Sequence, residues 1–366
     1  MKIDLIAGAR PNFMKIASII DAIHKAQSEN KIIEYRLIHT GQHYDKNMSE
    51  SFFTQLCIPD PHVNLGAGGG SQSEQTAAIM IGYEKLLMTE KSDLCLVVGD
   101  VNSTMACSIV AQKLHVPVAH VEAGIRSGDW TMPEEINRLV TDAITNFFFT
   151  TTPEAGETLQ KSGVTSDKIF WVGNTMIDTL LKHRNRFQPP PIWAELNLQK
   201  KEYLVMTLHR PTNVDEDEKL KVLINEIIAN SHGLPLIFPA HPRTAKILAN
   251  LGISHENLHT IEPLGYLDFN YLVEYAKAVI TDSGGITEET TVMGVPCITL
   301  RNNTERPETV TIGTNELIGN DPSFIRPAME TLFSGKWKKG SIPELWDGNA
   351  GNRIVKTLIS LGKPEK

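Results

Sequence analysis

At 366 residues the chain exceeds the size at which one hydrophobic core stops growing, so two domains are expected. Its 41% hydrophobic and 21% charged residues are those of an ordinary globular protein and exclude a disordered chain. A net charge of −8 gives nucleic acid no electrostatic attraction, so an anionic ligand needs a local cationic site.

Met1-Lys2-Ile3-Asp4 opens directly into a strand-like run, and no apolar stretch approaches the length of a bilayer span. Neither a leader peptide nor a membrane segment is expected. Strand-like runs follow at 3–7, 35–39, 93–99, 116–121, 147–151 and 169–172, with amphipathic stretches at 73–87 and 102–114. A second series at 203–208, 235–239, 258–261, 278–281 and 296–300 alternates with helical stretches at 220–231 and 267–276. Alternation of this kind predicts an α/β fold, with parallel sheets covered on both faces. The break falls at 173–200, where Gly173-Asn174-Thr175 starts a helix and Pro189-Pro190-Pro191 precedes the next strand. Domains are therefore expected at 1–172 and 173–348, two Rossmann-like doubly wound halves facing across a cleft. A closing helix at 349–366 is expected to pack back on the first half. In such sheets ligands sit beyond the carboxyl ends of the strands.

Cys57, Cys95, Cys107 and Cys297 lie in or beside apolar stretches without CxxC spacing. They read as buried, reduced thiols, which points to the cytoplasm. No His/Cys/Asp group has zinc spacing, so no metal is expected.

Two glycine-rich turns compete as anion sites. Gly66–Ser71 follows no strand and leads to no Lys-Ser/Thr, so it reads as a mobile connection before a helix starting near Ser73. Asp282-Ser283-Gly284-Gly285 follows the run 278–281 directly and opens a helix bearing Glu288 and Glu289. Its amides and helix N-terminus suit a phosphate. Glu289 suits ribose hydroxyls, although both acids also suit the helix dipole. The first strand ends Gly8-Ala9-Arg10-Pro11 with no GxGxxG, which argues against a dinucleotide site. Arg10 and Lys15 instead offer cations to a phosphate.

Ionisable residues recur at the remaining strand ends. Asp100 closes one run, Glu122 the next, and Glu134 opens a helix shortly after; His209 and Arg210 close a run in the second half. Asp100 also suits a helix cap and Glu134 a first helical turn. Together, carboxylates suit moving a proton at carbon, and cations suit a departing diphosphate.

These segments carry a resemblance to the non-hydrolysing UDP-N-acetylglucosamine 2-epimerases, a family of glycosyltransferase B architecture. The matching stretches are GARPNFMK (8–15), TGQHYD (40–45), GD (99–100), HVEAGIRS (120–127), PEEINR (133–138) and GNTMID (173–178). HRPTNVD (209–215), TDSGGITEE (281–289) and TERPE (304–308) complete the order. The resemblance implies that Arg10, Ser283, Gly284, Gly285 and Glu289 bind UDP, with Phe269 near the uracil. It implies Asp100, Glu122 and Glu134 as catalytic carboxylates and His209 as a catalytic histidine. Lys15, Arg138 and His241 match positions near the substrate or its phosphates, and Gln42, His43, Arg210 and Arg306 lie in matching segments of the substrate site. A UDP-linked N-acetylamino sugar, no cofactor and a homodimer are the corresponding expectations.

The motifs also depart from the family pattern. Asn12 stands where GTRPE carries an acid, Val101 replaces the threonine of GDT, and Thr287 replaces the glutamine of SGGIQEE. The arginine and second glutamine of allosterically activated bacterial members are not matched, so activation by the substrate is not expected. Variants of two motifs occur in relatives acting on modified UDP-amino sugars, so such a sugar is the alternative substrate. A UDP-sugar glycosyltransferase is the more distant one.

Overall fold

The computed structural model describes residues 1–41, 53–214, 216–240 and 242–362. The chain divides into two compact units, Met1–Lys182 with Glu344–Lys366, and His183–Pro343. Residues 173–182 thus go with the first unit, ten residues past the sequence break at 173.

The first unit is built on a parallel sheet of seven strands: β1 (Lys2–Ala7), β2 (Glu34–His39), β3 (Val63–Asn64), β4 (Leu94–Val98), β5 (Val118–Val121), β6 (Phe147–Thr150) and β7 (Ile169–Trp171). Their order is β3-β2-β1-β4-β5-β6-β7, a doubly wound sheet that reverses direction between β1 and β4. The run Leu94–Val98 is buried throughout, as expected for a strand covered on both faces. The helices are α1 (Arg10–Ser28), α2 (Gln72–Thr89), α3 (Asn102–Lys113), α4 (Pro133–Ala143), α5 (Pro153–Lys161) and α6 (Thr175–His183).

Gly66–Ser71, expected as a mobile connection, is anchored at both ends. The Ala67 amide donates to the Thr40 carbonyl, and Ser71 caps α2 in a reciprocal box with Glu74. Val63–Asn64 was not among the expected strands; with two residues it carries no alternating pattern to read.

The second unit holds α7 (Pro191–Glu195), β8 (Leu204–Thr207), α8 (Pro211–Val214), α9 (Asp217–Ala229), β9 (Leu236–Pro239), α10 (Pro242–Asn250), β10 (Leu258–Ile261) and α11 (Tyr266–Tyr275). It continues with β11 (Ala278–Thr281), α12 (Gly284–Met293), β12 (Cys297–Thr299), α13 (Pro307–Thr311), β13 (Asn315–Leu317) and α14 (Ile325–Phe333). The six strands are parallel, in the order β10-β9-β8-β11-β12-β13, and reverse between β8 and β11. Leu204, Met206, Ile280 and Ile298 face α9 and α14 through one apolar core. The short edge strand β13 was also not expected.

The last helix, α15 (Ala350–Leu361), returns to the first unit and lies along α1. A Cβ on Gly351 would stand 2.5 Å from the Ser18 carbonyl, so this approach requires glycine. The buried Asp178 on α6 accepts the Ala350 and Gly351 amides at 3.1 and 2.7 Å and thereby caps the helix. Cys95, Cys107 and Cys297 are buried, but Cys57 is exposed, which corrects the reading of all four as buried. Cys57 ends a short helical turn, where its neighbour Leu56 takes the buried position instead. Among the described residues no helix is long and apolar enough to cross a membrane.

Candidate functional site

In each unit some of the polar residues singled out by sequence follow the strands beside the point of reversal: Arg10 after β1 and Asp100 after β4 in the first, His209 after β8 and Ser283 after β11 in the second. In the first unit, Gly8 leaves β1 so close to α3 that a Cβ would stand 1.9 Å from Ser103 Oγ. Asn12 then organises the turn: its Oδ1 accepts the Gly8 and Ala9 amides at 3.2 and 2.9 Å, and its Nδ2 donates to the Val98 carbonyl at 3.0 Å. A carboxylate at this position has no hydrogen for that last bond, so asparagine suits this chain.

One turn further along α1, Lys15 is only 8% exposed, and its Nζ donates to Glu122 Oε2 at 2.7 Å. Lys15, expected near a phosphate, is thus the direct partner of a candidate catalytic carboxylate. Glu122 directly follows β5 with φ at 71°, a left-handed conformation uncommon for residues other than glycine, asparagine, aspartate and histidine. Such strain concentrates where the surroundings fix a functional group.

Asp100 does not cap α3. Val101 takes the N-cap position, and no side-chain cap bond is formed. The Asp100 carboxylate instead accepts from Arg138 Nη2 at 2.6 Å, while Asn137 Nδ2 donates to the Asp100 carbonyl at 2.9 Å. Neighbouring residues on α4 therefore grip Asp100 by side chain and backbone. Arg138 is itself held by Glu135 at 2.7 Å. Burial pushes the Glu135 carboxyl up, but the Ser127 and Gly128 amides, the Ser127 hydroxyl and Arg138 outweigh it and hold it below the usual range. Glu134, one residue earlier, is half-buried in the first turn of α4. Of the adjacent acids 134 and 135, sequence pointed to the first, and the structure gives the second a supporting role under Arg138.

Behind these turns lies a group that sequence reading passed over. His120 is wholly buried, with Nε2 2.8 Å from the Gly99 carbonyl oxygen and Nδ1 2.7 Å from Asp142 Oδ1. Asp142 Oδ2 accepts the Gly124 amide at 3.1 Å and Arg126 Nη1 at 2.6 Å. The visible signal was a histidine placed inside an apolar strand, two residues before Glu122.

In the second unit, the Thr207 and Thr281 hydroxyls bond at 2.6 Å across β8 and β11, and Thr281 Oγ1 accepts the Ser283 amide at 3.0 Å. Asp282, fully buried, ties the two strand ends together. Its carboxylate accepts the amides of His209 (3.0 Å) and Arg210 (2.9 Å), Asn213 Nδ2 (3.1 Å) and His209 Nδ1 (2.7 Å). Burial pushes Asp282 up; the bonds from His209, Arg210 and Asn213 outweigh it and leave the carboxyl below its usual range. Arg210 Nε donates to the Asp282 carbonyl at 3.0 Å. The His209 side chain stays 61% exposed, fixed at Nδ1.

Ser283 is the N-cap of α12 without a side-chain cap bond, and Ser283, Gly284 and Gly285 are half-exposed. An anion can therefore reach the first-turn amides. Glu289 is buried, with Oε1 accepting the Tyr266 hydroxyl at 2.9 Å. Burial and the Glu289 charge push the Tyr266 hydroxyl well above its ordinary value. Glu288 pairs with the buried Arg306, so Arg306 is engaged beneath α12. Arg301 grips Glu305 with two bonds at 2.7 and 2.9 Å, 3.5 Å from Arg210. Phe269 packs half-buried against the core between α11 and β11. Arg10 is half-buried as the first residue of α1. Gln42, His43 and His241 lie outside the described residues. Among the described residues, no group of His, Cys, Asp and Glu is placed to hold a metal ion.

Two doubly wound α/β units with ionisable residues at their points of reversal define a glycosyltransferase B-type enzyme architecture. The chain belongs to the UDP-N-acetylglucosamine 2-epimerase family, whose model matches residues 25–359. The motif resemblance is thereby confirmed. The UDP-N-acetylglucosamine 2-epimerase of Methanocaldococcus jannaschii is 41% identical over 99% of this chain and 100% of its own. The UDP-2,3-diacetamido-2,3-dideoxy-D-glucuronate 2-epimerase of Pseudomonas aeruginosa is 38% identical over the same shares. The crystal structure of the M. jannaschii enzyme with UDP-GlcNAc and UDP superposes with a TM-score of 0.87, covering 98% of this chain and 100% of that one. The Neisseria meningitidis enzyme bound to UDP-GlcNAc gives 0.88 at 30% identity, with the same coverage.

Proposed function

We propose that this protein interconverts UDP-N-acetylglucosamine and UDP-N-acetylmannosamine by inverting C2. The observation that carries the reading is the end-to-end match, at 41% identity, to an enzyme crystallised with UDP-GlcNAc and UDP. The placement of Asp100 and Glu122 at adjacent strand ends, each against its own cation, supports it.

The chemistry dictates the order of steps. The C2 hydrogen of the substrate is not acidic, because no carbonyl adjoins it. Breaking the C1–O bond first gives an oxocarbenium-like centre that acidifies C2–H, and the bonding electrons leave with UDP. A carboxylate then takes the C2 proton, leaving a 2-acetamidoglycal. Return of a proton to the opposite face of C2 and of the UDP oxygen to C1 gives the epimer, with no net redox change. Asp100, Glu122 and Glu134 are the proposed proton carriers. Arg10, Lys15, Arg138, His209, Arg210 and the Ser283-Gly284-Gly285 turn are the proposed set that binds the sugar and stabilises departing UDP. Gln42, His43, His241, Phe269, Glu289 and Arg306 complete the proposed substrate set. Glu289 and Arg306 act there from beneath the turn, since both are buried in contacts of their own. The free cysteines fit a reducing cytoplasm, and a homodimer is the proposed assembly.

The test is proton NMR of UDP-N-acetylglucosamine with the enzyme in D₂O. Deuterium appearing at C2 together with the manno epimer supports the reading; retained UDP binding without exchange overturns it. The P. aeruginosa relative favours one second reading, a 2,3-diacetamido uronate substrate. Exchange confined to that sugar selects it.

A further inference from the structure

The ring of His120 is bonded at both nitrogens, and each partner oxygen is an acceptor. The Gly99 carbonyl cannot donate, so Nε2 carries a hydrogen. At Nδ1 the partner is Asp142 Oδ1. Burial pushes Asp142 up, but its bonds with His120 and the Arg126 guanidinium prevail and hold it below the usual carboxylate range. The second oxygen of Asp142 is met only by donors, the Gly124 amide and Arg126. A guanidinium 2.6 Å from this carboxylate favours its ionised form, and an ionised Asp142 needs a hydrogen on His120 Nδ1. Asp142 and Arg126 are the charged groups in this cluster; the latter also donates to the Ile125 carbonyl at 2.8 Å.

The Gly99 carbonyl belongs to the peptide that carries Asp100, so the ring fixes the plane of that peptide. On the other side, Asp142 holds the Gly124 amide. His120 and Gly124 stand two residues before and after Glu122, whose left-handed backbone needs support from its surroundings. Gly99 is also left-handed, at φ 67°, and donates to the Val121 carbonyl at 3.0 Å. A Cβ there would stand 3.1 Å from Lys15 Nζ and 3.8 Å from Glu122 Oε2. The two carboxylate-bearing turns are therefore in direct contact, and the ring joins them, to the Gly99 carbonyl directly and to the Gly124 amide through Asp142.

We propose that His120 is a doubly protonated clamp, a positioning residue that sets Asp100 and Glu122 for proton transfer at C2. The role assigned to the carboxylates rests on the epimerase reading; the state of the ring does not. A neutral histidine would aim a lone pair at either the Gly99 carbonyl or the Asp142 carboxylate. Glutamine in its place can donate to the Gly99 carbonyl but cannot serve both sides in the same geometry.

The test uses full-length protein with ¹⁵N-labelled histidine, and the His120 ring is assigned by its absence from the His120→Gln spectrum. Both ring nitrogens are expected to give protonated-type signals. In His120→Gln, kcat for C2 exchange is expected to fall on the order of 10–100-fold, the loss typical of partners that orient a functional group, with KM unchanged. Asp142→Asn is the second variant, useful if the first does not fold. There a lone-pair-type nitrogen signal is expected to appear for His120, together with the same fall in kcat. A lone-pair-type nitrogen on His120 in the native protein overturns the clamp, as does a His120→Gln variant with native kcat. Native protein without exchange at C2 overturns the epimerase reading instead, and the ring signal then decides the clamp alone.

Discussion

Asp100 in the first unit and Asp282 in the second both follow a strand beside the point of chain reversal. Asp100 keeps its side chain 30% exposed and leans on one guanidinium, Arg138. Asp282 is fully buried and is taken up by the amides of His209 and Arg210 and the side chains of His209 and Asn213. The same position in the same kind of sheet thus holds a partly exposed carboxylate, the proposed proton carrier, in one unit and a buried scaffold in the other. Whether backbone amides converge on the carboxylate decides which. When they do, its charge is used up in shaping the turn. When a side-chain cation holds it instead, the carboxylate stays partly exposed.

This contrast is open to direct attack. The largest effect is expected from Asp100→Asn: turnover falls by about 10²–10⁴-fold, the usual worth of a general acid–base group, while UDP binding by calorimetry is retained. Near-native turnover in that variant removes Asp100 from the chemistry. Asp282→Ala is expected to act chiefly on the fold. Leaving the two amides and Asn213 without their acceptor costs on the order of 3 kcal/mol in urea unfolding, and UDP binding weakens as the turn loosens. If Asp282→Ala unfolds like the native protein, the carboxylate is not a scaffold.

The smallest effect sharpens the comparison through pH. Asp282 lies below the ordinary aspartate value of 3.8, so its stabilising contribution is present above that value and is lost as the pH falls through the lower folded one. Asp178 is the opposite case. Burial raises its carboxyl from 3.8 to about 6, against the Gly351 and Ala350 amides. Its contribution is full below 3.8 and is lost as the pH rises to about 6. The stability of native protein relative to Asp178→Asn is therefore expected to decline across that window and stay level above it. A difference independent of pH there refutes the shift.

The central strands were legible because buried parallel strands are continuous apolar runs; residues 278–281, buried throughout, were read with the bounds the structure gives them. Val63–Asn64 and Asn315–Leu317 were not, since edge strands of two and three residues owe their form to the neighbouring strand and not to their own composition. The same divide runs through the site. Asp100, Glu122, His209 and the Ser283 turn showed themselves by their places after strands. Their partners did not: Lys15 lies 107 residues from Glu122, and Arg138 lies 38 from Asp100. Pairings across such distances are fixed by packing, so nothing in the sequence joined Lys15 to Glu122 or Arg138 to Asp100, and neither Glu135 nor Asp142 was singled out.

The return of α15 to α1 has a consequence for the order of assembly. The second unit is an insertion, joined to the first by covalent links on both sides, at 182–183 and at 343–344. Every residue of the second unit leaves the ribosome before α15 does. The first unit must therefore wait, with the α1 surface that Gly351 will meet still bare, until the final helix emerges and the amides of Ala350 and Gly351 reach Asp178. The half that begins synthesis first is the one that finishes folding last.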